Sequence, residues 1–223
     1  MRFTKRDIKL VRDLALSFVL SRDQVIELGY FDSVTRCNTR LRELAAANAV
    51  RRISTPFHAQ SLYIAGHLAG ELCGERIERL LADRIGSPRF VRHALSTTNC
   101  RIALQKRGGS GWRFEQQLWR TVGKQEVRPD GLIVLKSNPT FIEVDLGHVS
   151  GPKFREKLKG FESLTSGTTC ADLYGFPTFR LLIVSTSPRR VRHLRSLVSD
   201  HPRLECLVTT FDELGAPPVG CWS

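Results

Sequence analysis

Two short apolar runs, residues 132–135 and 140–144, stand either side of a turn at Ser137-Asn138-Pro139. Each carries an acid in a defined place: Asp130 just before the first and Glu143 inside the second, with Asp145 two positions on. Runs this short, β-branched and bounded by turn residues, read as paired strands. Acids on neighbouring strands can hold a hard divalent cation such as Mg²⁺, which takes oxygen ligands, and such a cation can assist phosphodiester hydrolysis. They can equally cap a hairpin and decorate a strand edge. Spacing alone leaves both readings open.

The rest of the second half alternates helix and strand. A helix is expected over residues 90–104, a mobile loop at Gly108-Gly109-Ser110-Gly111, and a short helix over 112–121 carrying Glu115. After the two strands come a helix over 152–164, a nearly all-apolar strand over 179–185, a very basic helix over 188–199 and a last strand over 204–209. An apolar strand between helices suits the buried interior of a parallel or mixed sheet.

The first half has a different grammar. Thr4 with Asp7, and Ser21 with Gln24, are capping signals for two helices, the second ended by Gly29. A third helix over 33–48 aligns Val34, Cys37, Leu41, Leu44 and Ala45 on one face and Arg36, Thr39, Arg40 and Glu43 on the other. Strands over 50–54 and 61–64 follow, so three helices and a basic hairpin predict a winged helix-turn-helix. Arg36, Thr39 and Arg40 would face duplex DNA from the helix, and Arg51 and Arg52 from the wing. A further helix over 68–85, with Glu71, Glu75 and Glu78 alternating with Arg76 and Arg79, closes this region. The expected division is therefore 1–86 for the winged helix and 87–223 for the α/β part, an α+β chain overall.

Charge points to the partner. The chain has 34 Lys and Arg against 22 Asp and Glu, a net +12. Residues 1–85 hold 14 basic and 10 acidic groups and residues 86–223 hold 20 and 12, so neither end alone explains the excess. A polyanion follows, with double-stranded DNA as the expected partner. Arg189, Arg190 and Arg192 on the basic helix are candidates for a second backbone contact. No apolar run approaches the roughly 18 residues of a membrane helix, no signal-peptide layout opens the chain, and six scattered cysteines without a C-x-x-C pair suit reduced thiols. A cytoplasmic protein is expected. Zinc spacing, a phosphate loop ending in Lys-Ser/Thr and a nucleophile triad are not found in the sequence.

The order Glu115, Pro129-Asp130, Glu143-Val144-Asp145 resembles the PD-(D/E)xK nuclease superfamily, except that Asp145 stands where that pattern has lysine. The resemblance implies Mg²⁺ or Mn²⁺ at Asp130, Glu143 and Asp145. Lys153 or Lys157, one helical turn apart on the next helix, would supply the missing cation. Alternatively Asp145 pairs with Arg155 or Lys157 as plain electrostatics. The whole layout resembles the replication-relaxation family of plasmid and mobile-element proteins. The resemblance is carried by Thr39-Arg40-Leu41-Arg42-Glu43-Leu44, Ala49-Val50-Arg51-Arg52, Tyr63-Ile64-Ala65-Gly66, Arg92-His93-Ala94-Leu95, Trp112-Arg113-Phe114-Glu115, Arg128-Pro129-Asp130-Gly131 and Phe141-Ile142-Glu143-Val144-Asp145. In that family Asp is common after the Glu-x, and a lysine and an aromatic recur on the next helix, where Lys157 and Phe161 stand. It implies DNA binding in replication, mobilisation or DNA processing, with metal-dependent DNA cleavage as the enzymatic expectation. The competing expectation is a non-catalytic regulator or replication accessory factor whose second domain mediates homodimerisation or partner docking.

Overall fold

The computed structural model describes residues 2–55, 58–74 and 87–216. The chain divides into two compact units, Met1–Ile102 and Ala103–Pro217. The division falls within one long helix, beyond the Gly86 boundary expected from the helix end at Gly86-Ser87-Pro88.

In the first unit, helices α1 (Lys5–Ser17), α2 (Arg22–Glu27) and α3 (Val34–Ala46) precede strands β2 (Val50–Thr55) and β3 (His58–Ala65); a two-residue strand β1 (Leu20–Ser21) lies between α1 and α2. Both predicted capping boxes form, Thr4 with Asp7 and Ser21 with Gln24, each closing two otherwise orphaned backbone groups. Gly29 takes φ +80°, the left-handed conformation that terminates the α2 segment. The strands make an antiparallel sheet in the order β1-β3-β2, leaving β2 at an edge. Leu10, Leu14, Cys37, Leu41 and Leu44 are fully buried in the core between the helices. Val34, assigned by periodicity to the same stripe, is instead 48% exposed because it opens the helix, beyond reach of that core. A short helix α4 (Ala69–Cys73) starts the predicted closing helix; residues 75–86, which include Glu75, Arg76, Glu78 and Arg79, lie outside the described residues. Helix α5 (Pro88–Lys106) then gives Val91, Ala94 and Leu95 to a second apolar cluster of this unit, with Val19, Leu62 and Ile64.

The second unit is a mixed five-stranded sheet. Strand β4 (Ser110–Phe114) occupies the stretch expected to be a loop and the start of a helix, and α6 (Glu115–Leu118) is one turn only. A small hairpin of β5 (Arg120–Val122) and β6 (Gln125–Val127), not foreseen from the sequence, precedes β7 (Gly131–Leu135) and β8 (Asn138–Asp145). Helices α7 (Gly151–Ser163) and α8 (Thr169–Tyr174), strand β9 (Arg180–Ser185), helix α9 (Pro188–Val198), strand β10 (Cys206–Thr210) and a single turn α10 (Phe211–Leu214) complete it. The order is β10-β9-β8-β7-β4, with β8, β9 and β10 parallel and β4, β7 and β8 antiparallel. The β7–β8 turn centres on Lys136 and Ser137, at φ +46° and +67°. That double positive φ is what a two-residue hairpin requires, here without the usual glycine.

Phe141 on β8 is fully buried, with the rings of Phe161, Tyr174, Phe176 and Phe179 at 5.0–5.9 Å between centroids. Each buried aromatic contributes about 1.5–3 kcal/mol through area alone. This cluster fixes α7 and α8 over the β8 face from which Glu143 and Asp145, two and four residues on, also project.

Candidate functional site: an acid–lysine cleft on β8

Antiparallel pairing sets the first part of the site. Gly131 pairs with Ile142 and Leu132 with Phe141, so one step further Asp130 comes opposite Glu143. Directly opposed residues share a face, and two carboxylates there repel unless something holds each charge. Asp130 is held by the backbone: its Oδ2 accepts from the Val144 N–H at 2.7 Å, and its own N–H donates to the Ile142 carbonyl at 3.0 Å. Glu143 is held by Lys157, whose Nζ donates to Oε2. Burial alone would pull the Lys157 ammonium down; Glu143, Asp130 and Glu115 outweigh it and raise it above the ordinary lysine value. The four groups therefore share one electrostatic field. Glu143 is 2% exposed, whereas the Lys157 side chain keeps 38% of its surface.

Two glycines make this approach feasible. A Cβ at Gly160 would lie 2.6 Å from the Glu126 carbonyl oxygen, so only glycine lets α7 pack this close to β6. A Cβ at Gly131 would lie 2.4 Å from the Trp112 ring, which covers the chain where Asp130 enters β7. Between hairpin and helix opens a cleft of about 410 Å³, walled by Lys124, Arg128, Lys153 and Lys157 against Glu126, Glu143 and Glu156.

Glu115 opens α6 and ion-pairs with Arg128, so it joins the field without a bare carboxylate. Lys153 is exposed on the cleft wall, one turn from Lys157. Asp145 shares the face but has different partners. Its Oδ2 accepts from Ser185 Oγ at 2.9 Å and Arg190 Nε at 2.7 Å, and its Oδ1 from Arg190 Nη2 at 3.0 Å. Arg190 also donates to the Val149 carbonyl at 2.6 Å, and the bonds to Asp145 raise its proton affinity further. The cation beside Asp145 is Arg190 from α9, where Arg155 or Lys157 was the expected alternative. Among the described residues no three His, Cys, Asp or Glu side chains group so as to hold a metal ion. The donor set that fits a hard cation is thus Asp130 and Glu143, and Mg²⁺ commonly takes one or two carboxylates with water completing its shell.

The first unit presents its cations differently. Arg36 is far out, its side chain 77% exposed with Asp32 at 3.9 Å, and Thr39, Arg51 and Arg52 are exposed. Arg40, expected to point outward, is committed inward: it donates to buried Asp7 at 3.0 and 2.6 Å, to Glu43 at 2.5 Å and to the Arg2 carbonyl at 3.2 Å. On α9, Arg189 and Arg192 are exposed while Arg190 is spent on Asp145. The sequence reading had no role for Arg128 or Lys124. The Gly123-Lys124 pair, with Gly123 at φ +58°, was the available signal for the hairpin that carries them.

Fold and site together define a two-unit α+β protein whose mixed-sheet unit carries an acid–lysine cleft. The chain belongs to the replication-relaxation family, which matches it over residues 11–178. The crystal structure of protein VC1899 from Vibrio cholerae aligns at 17% identity and a TM-score of 0.36, covering 93% of this chain and 48% of that one. This chain therefore spans about half of that protein. No curated protein matches it. No helix among the described residues is long and apolar enough to cross a membrane.

Proposed function

We propose that the protein binds double-stranded DNA through its first unit, acting in replication or mobilisation of a plasmid or mobile element, and that its second unit cleaves DNA with Mg²⁺ or Mn²⁺. The observation that carries this is Lys157 seated on buried Glu143, directly across from Asp130, in an open cleft whose lining sets Lys124, Arg128, Lys153 and Lys157 against three glutamates. In this reading the first unit is a winged helix. Arg36 and Thr39 on α3 and Arg51 and Arg52 on edge strand β2 meet the duplex, and Arg189 and Arg192 add backbone contacts.

Asp130 and Glu143 would hold the metal, and a bound metal activates water and offsets charge on a phosphate oxygen. Lys157 places a cation beside the same phosphate, and Lys153 extends that wall outward. Glu115 acts through Arg128, fixing it on the cleft wall. Asp145 orients α9 through Arg190 and takes no metal. The test is nicking of supercoiled DNA with Mn²⁺, alongside Mn²⁺ calorimetry. Glu143→Gln should remove the metal site and lower nicking at least about 100-fold, the scale of losing a transition-state charge partner, while duplex binding persists. Equal nicking by wild type and Glu143→Gln would refute catalysis.

A second reading rests on the pairing of the acids: Glu115 with Arg128, Glu143 with Lys157, Asp145 with Arg190. It makes the chain a non-catalytic regulator or accessory factor whose second unit serves homodimerisation or docking. No Mn²⁺ heat and no cleavage, with duplex binding intact, select it.

A further inference from the structure

Trp119 follows α6 and is 51% exposed, although tryptophan is among the side chains that gain most from burial. Its backbone is well fixed without the ring: its N–H donates to the Glu115 carbonyl at 3.0 Å, and its carbonyl accepts from Arg120 Nη1 at 2.7 Å. The ring itself carries the Arg128 guanidinium, 4.9 Å from its centroid. Arg128 cannot swing away freely, since Glu115 holds it by both Nε and Nη2. The same Arg128 lines the cleft with Lys124 and Lys153. A half-exposed indole is thus joined, through one immobilised guanidinium, to a cationic wall that leads to Glu143 and Lys157. Trp112, in the same unit, is half-buried, packed on Gly131 and edge-on to Phe114.

Aromatic faces beside a cationic groove suit single-stranded nucleic acid, because an unpaired base has a free face and a paired one does not. The cleft, about 410 Å³, is of the size that holds one small ligand group and not a duplex. We propose that the second unit takes single-stranded DNA, one base stacking on Trp119 while the backbone follows Lys124, Arg128 and Lys153 toward Glu143. This deepens the DNA-processing reading above and rests on it. The first unit then meets duplex and the second meets an unpaired strand.

The test is fluorescence anisotropy on the full chain in EDTA, with a labelled dT oligonucleotide of about a dozen nucleotides and a duplex of similar length. Trp119→Ala should weaken dT binding roughly 5- to 150-fold, the range for one lost base stack, and change duplex affinity less than about twofold. Trp119→Phe, which keeps an aromatic face, should stay within about threefold of wild type on dT. Unchanged dT affinity in Trp119→Ala overturns the proposal, as does an equal loss on dT and duplex. If wild type binds duplex and ignores dT, the single-strand proposal falls while the duplex reading stands. Binding of neither refutes both.

Discussion

Glu143 and Asp145 lie two residues apart on β8, on one face and at the same 2% exposure, yet their surroundings differ in kind. Asp145 has both oxygens filled by the planar fork of Arg190 and by Ser185, in a pocket where Arg190 itself is only 18% exposed. Glu143 is met by the Lys157 ammonium at the mouth of an open cleft. A guanidinium on a carboxylate is a two-point, directional bond, whereas an ammonium is a point charge that water or a ligand can replace. Equal burial therefore says little about role. The partner's geometry separates an acid held by a two-point fork from one held by a point charge.

The sharpest way to break this contrast is Asp145→Ala. It strands Arg190 in a mostly buried setting, and removing one partner of such a pair costs about 3–5 kcal/mol. For a chain of this size that lowers Tm by roughly 6–20 °C, measurable by thermal unfolding followed by circular dichroism. Asp145→Leu with Arg190→Met should recover much of the loss, since a matched apolar pair often replaces a buried ion pair without penalty. Calorimetry should show Mn²⁺ binding at Glu143 intact in that double variant. Loss of Mn²⁺ binding with stability untouched would make Asp145 a metal ligand and erase the distinction.

The acids of β7 and β8 and Lys157 were legible in the sequence; the arginine partners of Asp145 and Asp7 were not. Asp130, Glu143 and Lys157 stand at spacings that periodicity converts into adjacent strands and the next helix. Arg190 reaches Asp145 from 45 residues away, and Arg40 reaches Asp7 from 33. Nothing local announces such pairs, because register between distant elements is decided by core packing around residues such as Phe141 and Leu41. Outward helical phase also misassigned Arg40: its long stem lets the head fold back over α1. The strand β4 escaped because its run, Ser110 to Phe114, is short and opens with Ser110-Gly111 after two glycines, a composition that reads as loop. Capping boxes, by contrast, are complete within four residues, and both formed as written.

A second arginine-held acid tests whether the Asp145 pattern is general. Asp7 is fully buried; burial pushes its carboxyl up, but hydrogen bonds from Arg40 and Thr4 outweigh that and bring it down to about 2 from 3.8. A carboxyl that titrates lower when folded stabilises the fold fully above about pH 4, and the contribution is lost as pH falls toward 2. The shift corresponds to a contribution on the order of 2 kcal/mol. Urea unfolding of wild type and Asp7→Asn should therefore show a gap near neutral pH that closes on acidification. A gap of constant size would mean that Asp7 is held by packing and not by its charge.

The smallest effect belongs to the lysine. Lys157→Met removes one ammonium whose side chain is 38% exposed, an interaction of the order of 1 kcal/mol or less once solvent screening is counted. Methionine matches the length of the lysine stem, so the fold should lose little. Glu143, still facing Asp130 across the strands, should then protonate more readily for want of its counter-charge. Mn²⁺ supplies that charge, so metal binding should survive in the variant and strengthen, while any nicking falls. A stability loss as large as that of Asp145→Ala would place Lys157 beside Arg190 as a structural counter-ion. The cleft would then be a by-product of how α7 packs on β6.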